Sequence, residues 1–264
     1  MNTVKDLVSP PTVRLDVRQL AKSYGIGKDA VEIIRDLTFQ VHDREIVSVV
    51  GPSGVGKTTL LRCLAGLQPL SSGEARIDGE VIDGPPEHLS LVFQDYGRSL
   101  MPWLTVEKNV WLPLRHLRLP KAERQARISE ALDAVGLGSA GHKYPWQMSG
   151  GMQQRAAIAR AIAYRPEVLI MDEPFASVDA QTRFDLEDLC LKIRDKFGMT
   201  IVVVTHDIDE AVYLSDRIVV VGRRPAVVTE IVSVPFTGTR DQISTRSAPE
   251  FASLRTDVMS MIRD

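Results

Sequence analysis

The sequence predicts an α/β fold: a parallel sheet with crossover helices, interrupted by a helical insertion. Three observations carry this reading. Residues 45–50 hold an almost unbroken apolar run (Ile46, Val47, Val49, Val50), as a strand covered on both faces requires. Beyond residue 164, apolar runs of strand length alternate with helical patterns. Between them, residues 95–164 turn helical, with Ile128, Leu132 and Val135 at 3.6-type spacing.

Taken in order, residues 1–12 form a leader ended by Pro10 and Pro11. Residues 13–20 alternate apolar and polar, with Val13, Leu15 and Val17 on one face of a half-buried strand. A polar, glycine-containing loop runs to Asp29, and strands follow at 38–42 and 45–50. A glycine-rich turn at 51–57 leads into a helix at 58–65, closed by Gly66. Short β segments lie at 73–83 around the Asp78-Gly79 and Asp83-Gly84 turns, with another strand at 90–94. After the helical stretch come a strand at 168–171, a helix at 180–197, a strand at 200–205, a helix at 209–214 and a strand at 217–221.

The chain has 264 residues, 44% of them hydrophobic, enough to bury a sizeable core. Its net charge of −2 excludes a global basic field, so no nucleic-acid partner is expected. Cys63 and Cys190 lie far apart without metal-type spacing and read as reduced, cytosolic thiols. No apolar run approaches the roughly 18–20 residues that span a bilayer. Residues 1–12 carry Lys5 and Asp6 and no apolar signal. The expected location is therefore cytosolic, with any membrane role left to partner subunits.

Gly51, Pro52, Ser53, Gly54, Val55, Gly56, Lys57, Thr58 and Thr59 fit the G-x-x-x-x-G-K-[ST] phosphate loop, set between an apolar strand and a helix. Glycines let the backbone N–H groups turn toward phosphate oxygens, and the helix N-terminus adds positive partial charge. Lys57 would reach the β- and γ-phosphates of ATP, the Thr58 hydroxyl would bind Mg²⁺, and Thr59 would add a donor near the α-phosphate.

Asp172 and Glu173 end a buried strand at the sheet edge where ligands bind. Asp172 suits a water-mediated Mg²⁺ ligand, and Glu173 the general base for the attacking water. Asp172 stands 115 residues after Lys57, far more than one βαβ unit of about 30 residues needs, so a sizeable unit is inserted between them. His206, ending the next strand, would touch the γ-phosphate. Gln94 would reach the metal or the lytic water, and it also opens the insertion. Tyr24 has two readings, a ring stacked on adenine or a packed strand-end aromatic.

Ser149, Gly150 and Gly151 precede a helix read at 153–164. Ser149 is a good N-cap and the glycines allow close backbone approach, which makes a second helix start suited to phosphate. Two such starts and one nucleotide imply that the second serves a neighbouring copy. The expected assembly is a dimer with ATP between two copies of the chain.

Together, Tyr24, Gly51 to Thr59, Gln94, Ser149-Gly150-Gly151, Asp172-Glu173, Ser177-Val178-Asp179 and His206 resemble the nucleotide-binding subunit of ATP-binding-cassette transporters over about residues 13–231. The resemblance implies a P-loop NTPase (RecA-like) core with an antiparallel β subdomain and an inserted α-helical subdomain at about 95–164. By resemblance, Tyr24 stacks on adenine, Gln94 is the Q-loop residue, Ser149 to Gly151 are the signature, Glu173 is catalytic and His206 is the switch histidine. The signature departs from Leu-Ser-Gly-Gly-Gln, reading Met148-Ser149-Gly150-Gly151-Met152, and the D-loop reads Ser-Val-Asp.

Segments 101–110, 179–183 and 205–212 are similar to importers of the nitrate/sulfonate/taurine type. That implies transmembrane permease partners, indirectly a solute-binding protein, an oxyanion-type solute and a peripheral place on the cytoplasmic face of the membrane. Trp103, between Pro102 and Leu104, would receive a permease helix or else pack internally. Residues 232–264 resemble the subfamily's tail, with Phe251, Leu254, Val258 and Ile262 on one helical face.

A GTPase would carry an Asn-Lys-x-Asp guanine reader, which the sequence lacks, and a kinase leaves Ser149 to Gly151 unexplained. The ATPase core alone does not separate import from export, so a soluble cassette ATPase or an exporter subunit is the alternative.

Overall fold

The computed structural model describes residues 12–25, 27–236 and 238–263; all of the expected leader except Thr12 lies outside them. Strands β1 (Val13–Tyr24) and β2 (Val31–His42) form an antiparallel pair. β2 begins at Val31 rather than at residue 38. The pairing jumps from Leu37 to Ile34, so Arg35 and Asp36 bulge outward and interrupt the period-2 pattern that marks a strand. β3 (Ile46–Val50) is buried at every residue and leads through the glycine-rich turn to α1 (Lys57–Leu64). β4 (Ser72–Ile77) and β5 (Glu80–Val81) extend the antiparallel side.

β6 (Leu89–Val92) enters the helical insertion, which contains α2 (Tyr96–Ser99), α3 (Val106–Trp111), α4 (Lys121–Ala134) and α5 (Gly150–Ala163). Regular alternation then resumes with β7 (Val168–Asp172), α6 (Ala180–Phe197), β8 (Thr200–Val204), α7 (Ile208–Leu214) and β9 (Arg217–Gly222). β10 (Ala226–Ser233), α8 (Ser244–Ser247) and α9 (Pro249–Arg263) follow.

The strands form one ten-stranded sheet in the order β5-β4-β1-β2-β10-β9-β3-β8-β7-β6. Neighbours from β9 to β6 run parallel, and β10 joins the two halves, antiparallel to β9 and parallel to β2. Alternation along the buried strands divides the core in two. Ile46, Val50, Leu169, Met171, Ile201 and Val203 face the helical insertion, α6, α7 and α9. Val47, Val49, Val168, Ile170, Val202 and Val204 face α1 and the antiparallel strands. Each fully buried Val, Leu or Ile contributes roughly 1.5–3 kcal/mol, so the centre of the sheet fixes the ends of β3, β7 and β8 firmly. Those ends carry the candidate site.

The boundary expected after residue 231 falls inside β10, and the segment beyond it packs on the same core. Phe251 and Val258 are buried, and Leu254 and Ile262 half-buried, against that layer. The Arg246 guanidinium donates to Glu187 Oε2 at 2.6 Å and lies about 5 Å from the Phe184 and Tyr213 rings.

Candidate nucleotide site

The phosphate loop leaves the C-terminal end of β3 pressed against a neighbouring strand. A Cβ on Gly51 would stand 2.2 Å from the Val221 carbonyl oxygen of β9, so only glycine fits there. No side chain caps the first turn of α1, which leaves its N–H groups to a ligand or water. Lys57 is buried, and its Nζ donates to the carbonyls of Gly51 at 2.7 Å and Pro52 at 3.1 Å. Burial lowers the pKa of its ammonium, while the charges of Glu173 and Asp172 oppose the shift.

Asp172 is the last residue of β7, one residue beyond the expected strand end. Burial raises its pKa first and the neighbouring Glu173 charge second; a hydrogen bond from Thr58 works the other way. Thr58 on α1 and Asp172 on β7 therefore meet. Glu173 adopts a left-handed φ of 43°, rare for a residue with a side chain. Its N–H donates to Val204 O at 2.8 Å, which holds the turn against β8.

The Glu173 carboxylate is where three strand ends converge. Gln94, two residues beyond the end of β6, donates from Nε2 to Glu173 Oε2 at 3.0 Å. His206, two residues beyond the end of β8, places Nδ1 3.2 Å from the same oxygen. Sequence spacing separates these side chains widely; the parallel register of β6, β7 and β8 brings them together. A strained backbone at the convergence point fits the tendency of strain to gather at reactive groups.

The expected helix at 153–164 begins earlier, at Gly150, and Ser149 is its N-cap. The Ser149 hydroxyl accepts from the Met152 N–H at 3.3 Å. A Cβ on Gly151 would meet Thr182 Cγ2 at 2.4 Å, so this glycine also makes room for the first turn of α6. Among the described residues, no hydrogen bond joins 149–152 to the phosphate loop. Tyr24 ends β1 half in solvent, its hydroxyl bonded to Gln68 and Lys22 Nζ 5.0 Å from its ring.

Residues outside the expected set also support the site. Gln154, fully buried on α5, donates to Pro174 O at 2.7 Å, immediately after Glu173. Arg183, Thr205, Asp207 and Glu210 surround the His206 segment. Arg183 lies four positions after Asp179, and Glu210 three positions after Asp207. These spacings put each pair on one face of its own helix start; that the two starts meet is shown by the Arg183–Asp207 pair.

Trp103 is 71% exposed, so it does not pack internally. Beside it, Leu104, Thr105, Trp111 and Ile128 line a largely apolar groove of about 400 Å³. Trp146 is 70% exposed and stacks on Tyr144 with ring centroids 5.8 Å apart. No helix among the described residues is long and apolar enough to cross a membrane.

The ABC transporter family model matches residues 34–176. An uncharacterized ABC transporter ATP-binding protein of Methanocaldococcus jannaschii is 43% identical, covering 96% of this chain and 92% of that protein. The nitrate import ATP-binding protein NrtD of Synechococcus elongatus is 38% identical, covering 92% of this chain and 89% of that protein. A solved dimeric, post-hydrolysis state of an ATP-binding cassette bound to ADP and Pi matches with a TM-score of 0.73 at 30% identity. That match covers 84% of this chain and 100% of the other.

Proposed function

The chain belongs to the ABC transporter family as an ATP-hydrolysing, ATP-binding subunit, and we propose that it drives import of a small oxyanion-type solute through permease partners. The observation that carries the catalytic part is the Glu173 carboxylate held by Gln94 and His206 at the ends of adjacent strands. In this reading Glu173 accepts the proton of the attacking water, and the two nitrogens on Oε2 fix which way its carboxylate faces. Lys57 and the backbone N–H groups of residues 53–59 hold the phosphates, and the exposed Tyr24 ring stacks on adenine.

Thr58, Asp172 and Gln94 would hold Mg²⁺, which supplies charge neutralisation on the phosphate oxygens. The residues fit a hard cation. Thr58 and Asp172 present oxygens to each other, and burial together with the neighbouring Glu173 charge raises the Asp172 pKa, a shift that a bound cation would oppose.

Ser149, Gly150 and Gly151 would complete the pocket of a second copy, a reading supported by the dimeric assembly of the matched cassette. Exposed Trp103 and its apolar groove suit a permease helix. The nitrate import relative favours an oxyanion solute; in the proposed assembly a solute-binding protein delivers it and this chain sits peripherally on the cytoplasmic membrane face.

Vesicles carrying the assembled transporter test this. The parent chain drives ATP-dependent uptake of labelled nitrate or another small oxyanion. Glu173→Gln binds ATP with unchanged affinity, loses hydrolysis by at least about a hundredfold, and loses uptake with it. Hydrolysis at the parent rate overturns the role of Glu173, and ATP-driven efflux overturns import.

A further inference from the structure

The His206 side chain is 55% exposed where it meets Glu173. What fixes it is the backbone on either side. Thr205 Oγ1 accepts from the Asp207 N–H at 3.0 Å and donates to Glu210 Oε2 at 2.6 Å. Asp207 caps α7, with Oδ1 accepting from the N–H groups of Asp209 at 2.9 Å and Glu210 at 3.2 Å. Its other oxygen, Oδ2, accepts from Arg183 NH1 at 2.9 Å.

Arg183 stands in the first turn of α6, four residues after Asp179, the residue that caps that helix. Its guanidinium is thus the link between two helix starts: α6, which follows residues 177–179, and α7, which follows His206. The Arg183 Nε is buried without a hydrogen-bond acceptor and lies 3.6 Å from Glu210 Oε1, the same carboxylate that holds Thr205. Glu210 is only 3% exposed. Both ties that flank His206, one through Asp207 and one through Thr205 and Glu210, therefore end at one side chain.

We propose that Arg183 is a positioning residue for ATP hydrolysis, setting His206 against Glu173 by clamping Asp207 and Glu210, and so making the placement of His206 depend on the position of residues 177–179. The proposal rests on the reading of Glu173 and His206 as the hydrolytic pair. A cation of this shape is needed because it must lie between two carboxylates at the start of α7, one on the cap residue and one in the first turn. A lysine ammonium is a single point of charge and cannot present two aligned N–H vectors in one plane. A merely structural ion pair would change folding stability alone. A positioning role moves turnover separately from nucleotide binding, since a displacement of about 1 Å at a reacting group costs on the order of a hundredfold in rate.

Four full-length chains decide the matter: parent, Arg183→Ala, Arg183→Lys and His206→Ala. Each is assayed for equilibrium ATP affinity, thermal midpoint, and kcat with and without millimolar guanidinium. Arg183→Ala keeps its ATP affinity, loses kcat by roughly ten- to a hundredfold, and recovers part of it with added guanidinium. Arg183→Lys falls between Arg183→Ala and the parent.

Unchanged kcat in Arg183→Ala overturns the inference, as does a loss that tracks the thermal midpoint and ignores guanidinium. His206→Ala separates the two levels of the argument. If it hydrolyses at the parent rate, the hydrolytic pair itself is wrong. If it is inactive while Arg183→Ala is not, only the role of Arg183 falls.

Discussion

The starts of α1 and α5 are both glycine-rich helix N-termini, yet they are built differently. At α1 no side chain caps the first turn, and a buried lysine lies folded across the loop that precedes it. At α5 the Ser149 hydroxyl already accepts from Met152, and Gly151 is pressed against Thr182 of α6. The first start supplies its own cation and leaves its donors unclaimed. The second satisfies part of itself and has no lysine or arginine among 148–152. In the proposed reading, one glycine-rich helix start carries all the groups an anion site needs and the other only some of them, and the difference comes from what surrounds the glycines. An incomplete site is suited to the phosphate end of a nucleotide already held elsewhere.

Three variants break or sharpen that contrast. Lys57→Ala removes a charge-assisted hydrogen bond and lowers the ATP affinity of the single chain by roughly a hundredfold in an equilibrium titration. An unchanged affinity would erase the distinction between the two starts. Gly151→Val drives a branched side chain into Thr182 and lowers unfolding stability by about 1–3 kcal/mol in denaturant melts. A neutral result would leave Gly151 with a ligand role alone. Ser149→Ala forfeits the cap at a cost of about 1 kcal/mol, with single-chain ATP affinity unchanged in the same titration. A matching loss of affinity would show that α5 serves its own chain's nucleotide.

Local chemistry made much of this arrangement legible in the sequence. The phosphate loop is contiguous, so spacing alone exposes it. The bounds of α6 were readable because Asp179 caps one end and Gly198, at φ 64°, closes the other. α5 starts before the expected residue 153 because the serine cap makes Gly150 and Gly151 its first turn, although two glycines read locally as loop. The extent of β2 was hidden by the Arg35-Asp36 bulge.

β10 lies between two blocks of the sheet and carries Thr229 and Glu230 midway, a pattern without clean alternation. Its place is set by partners far away in sequence. The Gln94–Glu173–His206 convergence has the same character. The β/α alternation puts Glu173 and His206 on neighbouring strands, but the meeting of Gln94 and His206 on one oxygen depends on the full strand order, which no local pattern encodes.

The buried Glu187 has a consequence for where this chain can be shortened. The carboxylate is fully enclosed, and the cation beside it comes from Arg246, beyond the last strand. Cutting the polypeptide at residue 231 would strip away that counter-charge, the Gln242 amide that also donates to Glu187, and the Phe251 and Val258 side chains buried in the same core. A stranded ion of this kind costs about 3–5 kcal/mol, a large share of the stability of an ordinary domain. What looks on paper like an appendage is therefore part of the packed core, and a chain ended at residue 231 is expected to melt well below the full-length one in a thermal scan.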